Sequence, residues 1–157
     1  MSDLTASAAR IVVGVDGSEP SKAALRWAAR QAALTGAVIE AVTAWEYPLW
    51  YGTSPMAAGF DFADNAAKIL SQALDETFGP DRPVEIRSRV ERGHPAAVLL
   101  EASREAELLV VGNRGHGGFT EALLGSVGQH LVQHAACPVV VIRGPVPSAA
   151  QGANGVR

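Results

Sequence analysis

The feature that most constrains the fold is a regular alternation of short apolar runs with longer segments that have helical periodicity. Each run is rich in Val, Ile and Leu and is bounded by polar residues or glycine, which is typical of strands buried in a parallel sheet. The alternation predicts a single α/β domain: an open, parallel five-stranded sheet with right-handed crossovers and helices on both faces. The predicted strands lie near 10–15, 37–43, 84–91, 107–111 and 138–142, and the predicted helices near 19–35, 62–78, 95–105 and 126–135.

A glycine-rich connection joins the fourth strand to the last helix. Gly112, Gly115, Gly125 and Ser126 form the spacing GxxGx9G(S/T) directly after the apolar run that ends at Val111. Glycine lacks a Cβ and allows phosphate oxygens to approach the main chain, and the free amides at a helix start attract anions. We expect Ser126 to cap the helix and Val127, Leu131 and Ala135 to face inward. This pattern predicts a phosphate site.

The glycines alone leave a second interpretation equally open. No lysine follows the last glycine, so the connection is not a Walker loop, and its spacing is not the GxGxxG dinucleotide motif. A glycine-rich turn that closes a tight strand-to-helix corner without any ligand would have the same composition. The choice between a phosphate site and a turn without a ligand therefore depends on the residues that lie beside this connection.

The first strand supplies a carboxylate at the expected place. Ile11–Val15 is an apolar run that ends at Asp16-Gly17-Ser18. In open α/β sheets, ligands bind outside the carboxyl ends of strands where the chain order reverses, and the first strand commonly borders that point. We assign Asp16 mainly to a ligand and Ser18 mainly to capping the helix that begins near Glu19-Pro20.

These segments together resemble the universal stress proteins, in particular their ATP-binding branch. The resemblance covers roughly residues 9–143 and rests on Val13-Gly14-Val15-Asp16-Gly17-Ser18, on the glycine pattern and on the closing strand Cys137–Ile142. It implies strand order 3-2-1-4-5 in a Rossmann-like fold of the adenine nucleotide alpha hydrolase type. Residues 1–8 would then be an N-terminal extension and 144–157, rich in Gly, Pro and Ala, a disordered tail.

The resemblance also implies a set of nucleotide contacts. Gly14, Val15 and Asp16 would meet base and ribose, and main-chain groups of Val42 would meet the adenine edge. Asp16 would also be the candidate contact for Mg²⁺ or Mn²⁺ accompanying ATP. Arg114 and His116, inside the glycine connection, would contact phosphate or point to solvent. The remaining ribose and phosphate contacts would be Val111, Gly112, Gly115, Gly125, Ser126 and Val127.

Composition argues against nucleic acid and membranes as partners. The chain has 157 residues and a formal net charge of −3. It therefore lacks the excess of basic side chains that nucleic-acid binding requires. No apolar run approaches membrane-spanning length, and residues 1–9 lack the pattern of a secretory signal, which predicts a cytoplasmic location. The single cysteine, Cys137, excludes an internal disulfide framework, and we expect it to be a small structural residue.

Rapid catalysis is not expected. Fast ATP hydrolysis needs a positioned water, a base and cations on the leaving phosphate, and beyond Asp16 and Arg114 the sequence offers little of this kind. The favoured function is a nucleotide-dependent regulatory module of the stress response. The alternatives are a slow ATP hydrolase and a cyclic-AMP-binding protein of the same fold.

A homodimer is expected from the last strand. Residues 138–142 are fully apolar, and the order 3-2-1-4-5 places them at a sheet edge, where unpaired backbone groups invite association. Antiparallel pairing with the same strand of a second copy would bury that edge through a two-fold contact. The family resemblance implies the same arrangement.

Several other features have competing interpretations. The aromatic segment 45–61 is long enough to cover the base, or it packs against the core or a partner chain. His130 and His134 are four residues apart, yet without the glutamate of HExxH a surface or interface pair is favoured over a zinc site. His94, before Pro95, is assigned to the turn that starts a helix.

Overall fold

The computed structural model describes residues 9–48, 59–114 and 124–144. The expected N-terminal extension 1–8 and residues 145–157 of the expected tail lie outside the described residues, as do Gly115 and His116 of the glycine connection. The elements run in strict alternation, as predicted. They are β1 (Arg10–Gly14), α1 (Glu19–Thr35), β2 (Val38–Trp45), α2 (Phe62–Phe78), β3 (Ile86–Arg92), α3 (Pro95–Ala102), β4 (Leu108–Gly112), α4 (Ser126–His134) and β5 (Val139–Ile142).

The sheet is parallel throughout and has the order β3-β2-β1-β4-β5, which confirms the expected topology. The central strand β1 pairs with β2 on one side and β4 on the other, with Gly14 opposite Val42 and Val13 opposite Val110. Because chain order reverses between β1 and β4, the carboxyl ends of these two strands border the crevice where this class of sheet binds ligands.

Several element ends differ from the sequence-based expectation by one to three residues, and two of them have a clear physical cause. Strand β2 continues to Trp45 because β3 supplies partners for its last residues, with Trp45 opposite Arg92. Helix α3 ends at Ala102 instead of 105. The chain then turns towards β4, with the amide of Ala106 donating to the carbonyl of Ser103 and Glu105 in a left-handed conformation at φ 65°.

Two apolar cores lie on opposite faces of the sheet. Helices α1 and α2 cover one face, where Leu25 and Leu70 pack against Ile11 and Ile39. Helices α3 and α4 cover the other face, where the buried residues are Val12, Val42, Val98, Leu99, Ala102, Leu109, Val111 and Leu131. Each such aliphatic side chain contributes about 1.5–3 kcal/mol through burial, which holds the strand ends in place. None of the described helices combines the length and apolarity that crossing a bilayer requires.

Arg10 fixes the opposite end of the sheet. Its guanidinium lies 2.6 Å from a carboxylate oxygen of Glu40 and donates to the main-chain carbonyls of Ala102 and Arg104 at 3.0 and 2.8 Å. Carbonyls at the end of a helix lack intrahelical donors, so the guanidinium satisfies this end of α3. This contact anchors α3 against β1 and β2, far from the carboxyl ends of the strands.

Cys137 should react slowly with thiol reagents in the folded protein. Burial raises the pKa of its thiol, and the side chain packs beside the core on the α3 and α4 face. Since the thiolate is the reactive species, alkylation by iodoacetamide near neutral pH should be several-fold slower than for the urea-unfolded chain, followed by mass spectrometry. Equal rates in the folded and unfolded states would contradict a structural role for this cysteine.

Candidate functional site

The predicted residues at the ends of β1 and β2 are joined by main-chain hydrogen bonds. The amide of Val15 donates to the carbonyl of Val42 at 2.8 Å, which extends the β1–β2 ladder past Gly14. The carbonyl of Val15 accepts from the hydroxyl of Thr43 at 2.9 Å, and Thr43 is buried. Sequence analysis did not identify Thr43. The Val42 carbonyl retains a second lone pair, as every carbonyl oxygen has two.

Asp16 lies at the carboxyl end of β1 and is partly exposed. Its Oδ1 accepts from the amide of Ser18 at 3.0 Å and from the Ser18 hydroxyl at 2.5 Å. The Ser18 hydroxyl oxygen in turn accepts from the amide of Ser21, which confirms Ser18 as the N-cap of α1. The turn therefore fixes the orientation of the Asp16 carboxylate beside the strand end.

Gly112 is required by packing against backbone, and Gly14 is closely packed against side chains. A Cβ on Gly112 would lie 2.6 Å from the carbonyl carbon and from the Cβ of Pro20, in the first turn of α1. A Cβ on Gly14 would lie 2.8 Å from a methyl carbon of Leu99 and 3.3 Å from one of Val111. These two glycines let α1 and α3 approach the sheet, so their presence needs no ligand.

Gly125 differs from both. It is the N-cap of α4, and its φ of −71° is a conformation that any residue can adopt. Among the described residues, the nearest atoms to a Cβ on Gly125 would be the carbonyl oxygen of Asn113 at 3.7 Å and Cα of Arg114 at 3.9 Å. Those are ordinary contact distances. Neither backbone conformation nor packing within the described structure therefore requires glycine at this position.

The start of α4 leaves amides without intrahelical acceptors. The first intrahelical bond runs from the amide of Gln129 to the carbonyl of Gly125, and Gly125 has no side chain that could cap the helix. The expectation that Ser126 caps the helix is wrong, because Ser126 is the first helical residue and is exposed. Val127 is partly buried and Leu131 fully buried, as expected for inward-facing positions. The amides of Ser126 and Val127 lie at the N-terminus of the helix, where the helix dipole is positive.

Asn113 was not identified from the sequence, although it lies inside the motif. It is 5% exposed, and its carbonyl oxygen accepts from the amide of Gly125 at 2.8 Å. This bond closes the base of the glycine connection. A polar residue directly after an apolar run was the available signal, but its partners are distant in sequence.

The other predicted residues are placed as follows. Arg114 is partly exposed at the start of the glycine connection. His94 is the N-cap of α3, its Nδ1 accepting from the amide of Ala96 at 3.2 Å, which confirms its assignment to the turn. His130 and His134 are exposed neighbours with ring centroids 4.4 Å apart. Within the described ranges, no three His, Cys, Asp or Glu side chains are grouped to hold a metal ion.

Part of the aromatic segment forms a cluster beyond the ends of β2 and β3. Trp45 and Tyr47 are in edge contact at 5.2 Å, Tyr47 contacts Phe62 at 5.6 Å, and Phe60 contacts Phe62 at 4.6 Å. The guanidinium carbon of Arg92 lies 4.7 Å from the Tyr47 ring centroid. Trp50 and Tyr51 lie outside the described residues. The described ends of this segment therefore pack against each other, against the start of α2 and against Arg92 of β3, while Tyr47 and Phe60 remain exposed.

Residues 8–143 match the sequence model of the family described as "Universal stress protein family". The chain belongs to the universal stress protein family. A universal stress protein of Mycobacterium tuberculosis is 37% identical over 142 residues, which is 84% of this chain and 47% of that protein. The chain thus spans about half the length of the curated universal stress proteins that it matches.

Solved universal stress protein structures have the same fold. One, in complex with cAMP, is 27% identical with a TM-score of 0.57 and covers 89% of this chain and 100% of its own. Another, from Archaeoglobus fulgidus in complex with dAMP, is 22% identical with a TM-score of 0.60 and covers 87% of this chain and 98% of its own. The alignment covers most of this universal stress protein domain in both cases.

Proposed function

We propose that this universal stress protein binds ATP at the junction of β4 and α4 and acts as a nucleotide-dependent regulatory module. The observation that carries the proposal is Gly125. Unlike Gly112, it is not demanded by packing or by backbone conformation in the described structure. A glycine at a helix N-cap, beside amides that have no intrahelical acceptor, provides a surface on which phosphate oxygens can lie.

The residues present fit the chemistry of the ligand. The amides of Ser126 and Val127 would donate to phosphate oxygens, and such charge-assisted hydrogen bonds contribute about 1.5–3 kcal/mol each. Main-chain groups of Val111, Gly112 and Gly115 would complete the phosphate and ribose contacts. After the cost of immobilising the ligand, a dissociation constant of about micromolar order is expected.

Base and ribose would lie towards β1 and β2. Asp16, held by Ser18 at the end of β1, would accept from ribose hydroxyls. The second lone pair of the Val42 carbonyl would accept from the adenine amino group, beside Gly14 and Val15. The structures of relatives with cAMP and dAMP support an adenine nucleotide as the ligand class.

A divalent cation would be held mainly by the nucleotide itself. Mg²⁺ prefers oxygen ligands and is commonly bound by one or two carboxylates together with substrate phosphates. Asp16 is the carboxylate that we assign to Mg²⁺ or Mn²⁺, and it would act with phosphate oxygens and water. The cation would neutralise phosphate charge at a site that has few basic side chains.

Slow hydrolysis of ATP is consistent with phosphate binding by main-chain amides. Main-chain amides bind ground-state phosphate, but rapid hydrolysis also needs a base and a cation clamp on the leaving group. Arg114 and His116 are the cationic or titratable side chains that we assign as phosphate contacts. The proposed output is therefore a conformational or oligomeric change within the cytoplasm, with at most weak ATP hydrolysis.

Isothermal titration calorimetry with ATP and cAMP tests this function directly. ATP in the presence of Mg²⁺ should bind with a dissociation constant of about micromolar order, and GTP should bind at least about ten-fold more weakly. Tighter binding of cAMP than of ATP would favour the alternative ligand, for which the cAMP complex of a relative is the supporting observation. Absence of binding by every adenine nucleotide would refute the proposal.

A homodimer through β5 is the proposed assembly. β5 is one of the two edge strands of the sheet, and its four residues are all partly exposed. The amides of Leu109 and Asn113 donate to the carbonyls of Pro138 and Ile142, so the even-numbered residues of β5 face β4. In a parallel ladder the alternate residues, Val139 and Val141, then direct their amides and carbonyls outward.

Val141→Pro should abolish the dimer while leaving the protomer folded. Proline removes an amide that faces away from β4, and edge strands tolerate proline at such positions. The matched variant Val140→Pro removes an amide that faces β4 and should instead lower the melting temperature. Light scattering with size-exclusion chromatography would measure both. A wild-type monomer at micromolar concentration, or a Val141→Pro variant that stays dimeric, would contradict this assembly.

A further inference from the structure

Asn113 makes polar contacts with two neighbouring segments, the start of α4 and the chain at and after the end of β5. Its main-chain amide donates to the carbonyl of Ile142 at 2.8 Å, at the end of β5. Its main-chain carbonyl accepts from the amide of Gly125 at 2.8 Å, at the start of α4. Its side-chain Oδ1 accepts from the amide of Gly144 at 3.3 Å. The residue thus connects both ends of the glycine connection to the chain that follows β5.

The surroundings of the Asn113 side chain are closely packed. Gly144 lies against Pro20, because a Cβ on Gly144 would be 2.8 Å from Cγ of that proline. Gly112 lies against the backbone of Pro20 as well. The Asn113 side chain is buried between these contacts, where an unsatisfied amide or carbonyl costs more than it does in water. Its Oδ1 joins the residue after β5, Gly144, to the base of the glycine connection, beside the main-chain bonds that Asn113 makes to Ile142 and Gly125.

The position of this base sets the direction of the α4 amides. The Asn113 carbonyl holds the amide of Gly125, the residue from which the first turn of α4 departs. Small displacements at this point would move the amides of Ser126 and Val127 relative to a bound phosphate. We propose that Asn113 is a positioning residue for the phosphate portion of the nucleotide, acting through its contact with Gly144. This inference rests on the proposed ATP binding.

The test separates phosphate binding from base binding. For Asn113→Ala, the dissociation constant of ATP should rise by about three- to ten-fold, the effect of losing about one hydrogen bond. The dissociation constant of adenosine, which has no phosphate, should change by less than about two-fold. Competition titrations well below the melting temperature would measure both ligands. A role limited to general stability would lower both affinities equally.

Asn65→Ala, at an exposed position of α2, is the matched control and should change neither affinity. If Asn113→Ala does not fold, Asn113→Ser takes its place, since the shorter side chain cannot reach Gly144, and the same selective loss is expected. Unchanged ATP binding, or equal losses for ATP and adenosine, would overturn the inference alone. A wild-type protein that binds no ATP would overturn the proposed function and this inference together.

Discussion

Gly112→Ala should lower the free energy of unfolding by about 1–3 kcal/mol and the melting temperature by roughly 3–10 °C. The added methyl would lie 2.6 Å from two atoms of Pro20, one of them in the backbone of α1. Backbone cannot rotate away as a flexible side chain can, so the helix start and the strand end must move apart. Thermal unfolding followed by circular dichroism would measure the loss.

Gly59→Ala is the control for this prediction. Within the described structure, nothing lies within 4 Å of a Cβ at Gly59. The methyl group itself should therefore change the melting temperature by no more than about 2 °C, which is within the usual range for surface substitutions. A Gly112→Ala protein as stable as Gly59→Ala would show that the close approach of α1 to β4 is not required.

Gly125→Ala should have the opposite profile, with a small effect on stability and a large one on ATP binding. The methyl group meets ordinary contact distances in the described structure, and an alanine N-cap costs only about 1 kcal/mol relative to better caps. It would, however, occupy the surface on which phosphate oxygens lie. Calorimetry should show ATP affinity reduced by at least about ten-fold, equivalent to about 1.4 kcal/mol.

Arg114→Ala provides the comparison for Gly125→Ala. If main-chain amides supply most of the phosphate binding, removing this partly exposed guanidinium should weaken ATP binding by only about two- to three-fold. The reverse ranking, with Arg114→Ala the more damaging variant, would mean that a basic side chain and not the helix start holds the phosphates.

Hydrophobic patterning is sufficient to predict most of this fold. The run at Ile11–Val15 is apolar because β1 is the central strand of a parallel sheet that is covered on both faces. The run at 138–142 is equally apolar, although the residues of β5 are partly exposed at the sheet edge. The ends of α3 and β2 were less predictable. They depend on a turn at Glu105 and on pairing with Arg92, neither of which leaves a periodic signal.

Two helix caps near the candidate site were predictable from local signals, whereas the predicted cap at Ser126 was wrong. Ser18 and His94 precede helices and cap them, as expected from adjacent residues. The roles of Thr43 and Asn113 depend on partners at Val15, Gly125 and Gly144, which only the folded chain brings near. Likewise, the sequence cannot distinguish a glycine needed for packing from one that leaves room for a ligand.

Amide chemical shifts on addition of ATP test the central claim most directly. In ¹H–¹⁵N NMR spectra of the full chain, saturating ATP with Mg²⁺ should produce its largest shifts at the amides of Ser126 and Val127, with smaller shifts near Asp16. Adenosine should leave the α4 amides nearly unchanged, because it carries no phosphate. ATP-induced shifts confined to other elements, with the α4 start unaffected, would contradict phosphate binding by main-chain amides at this helix.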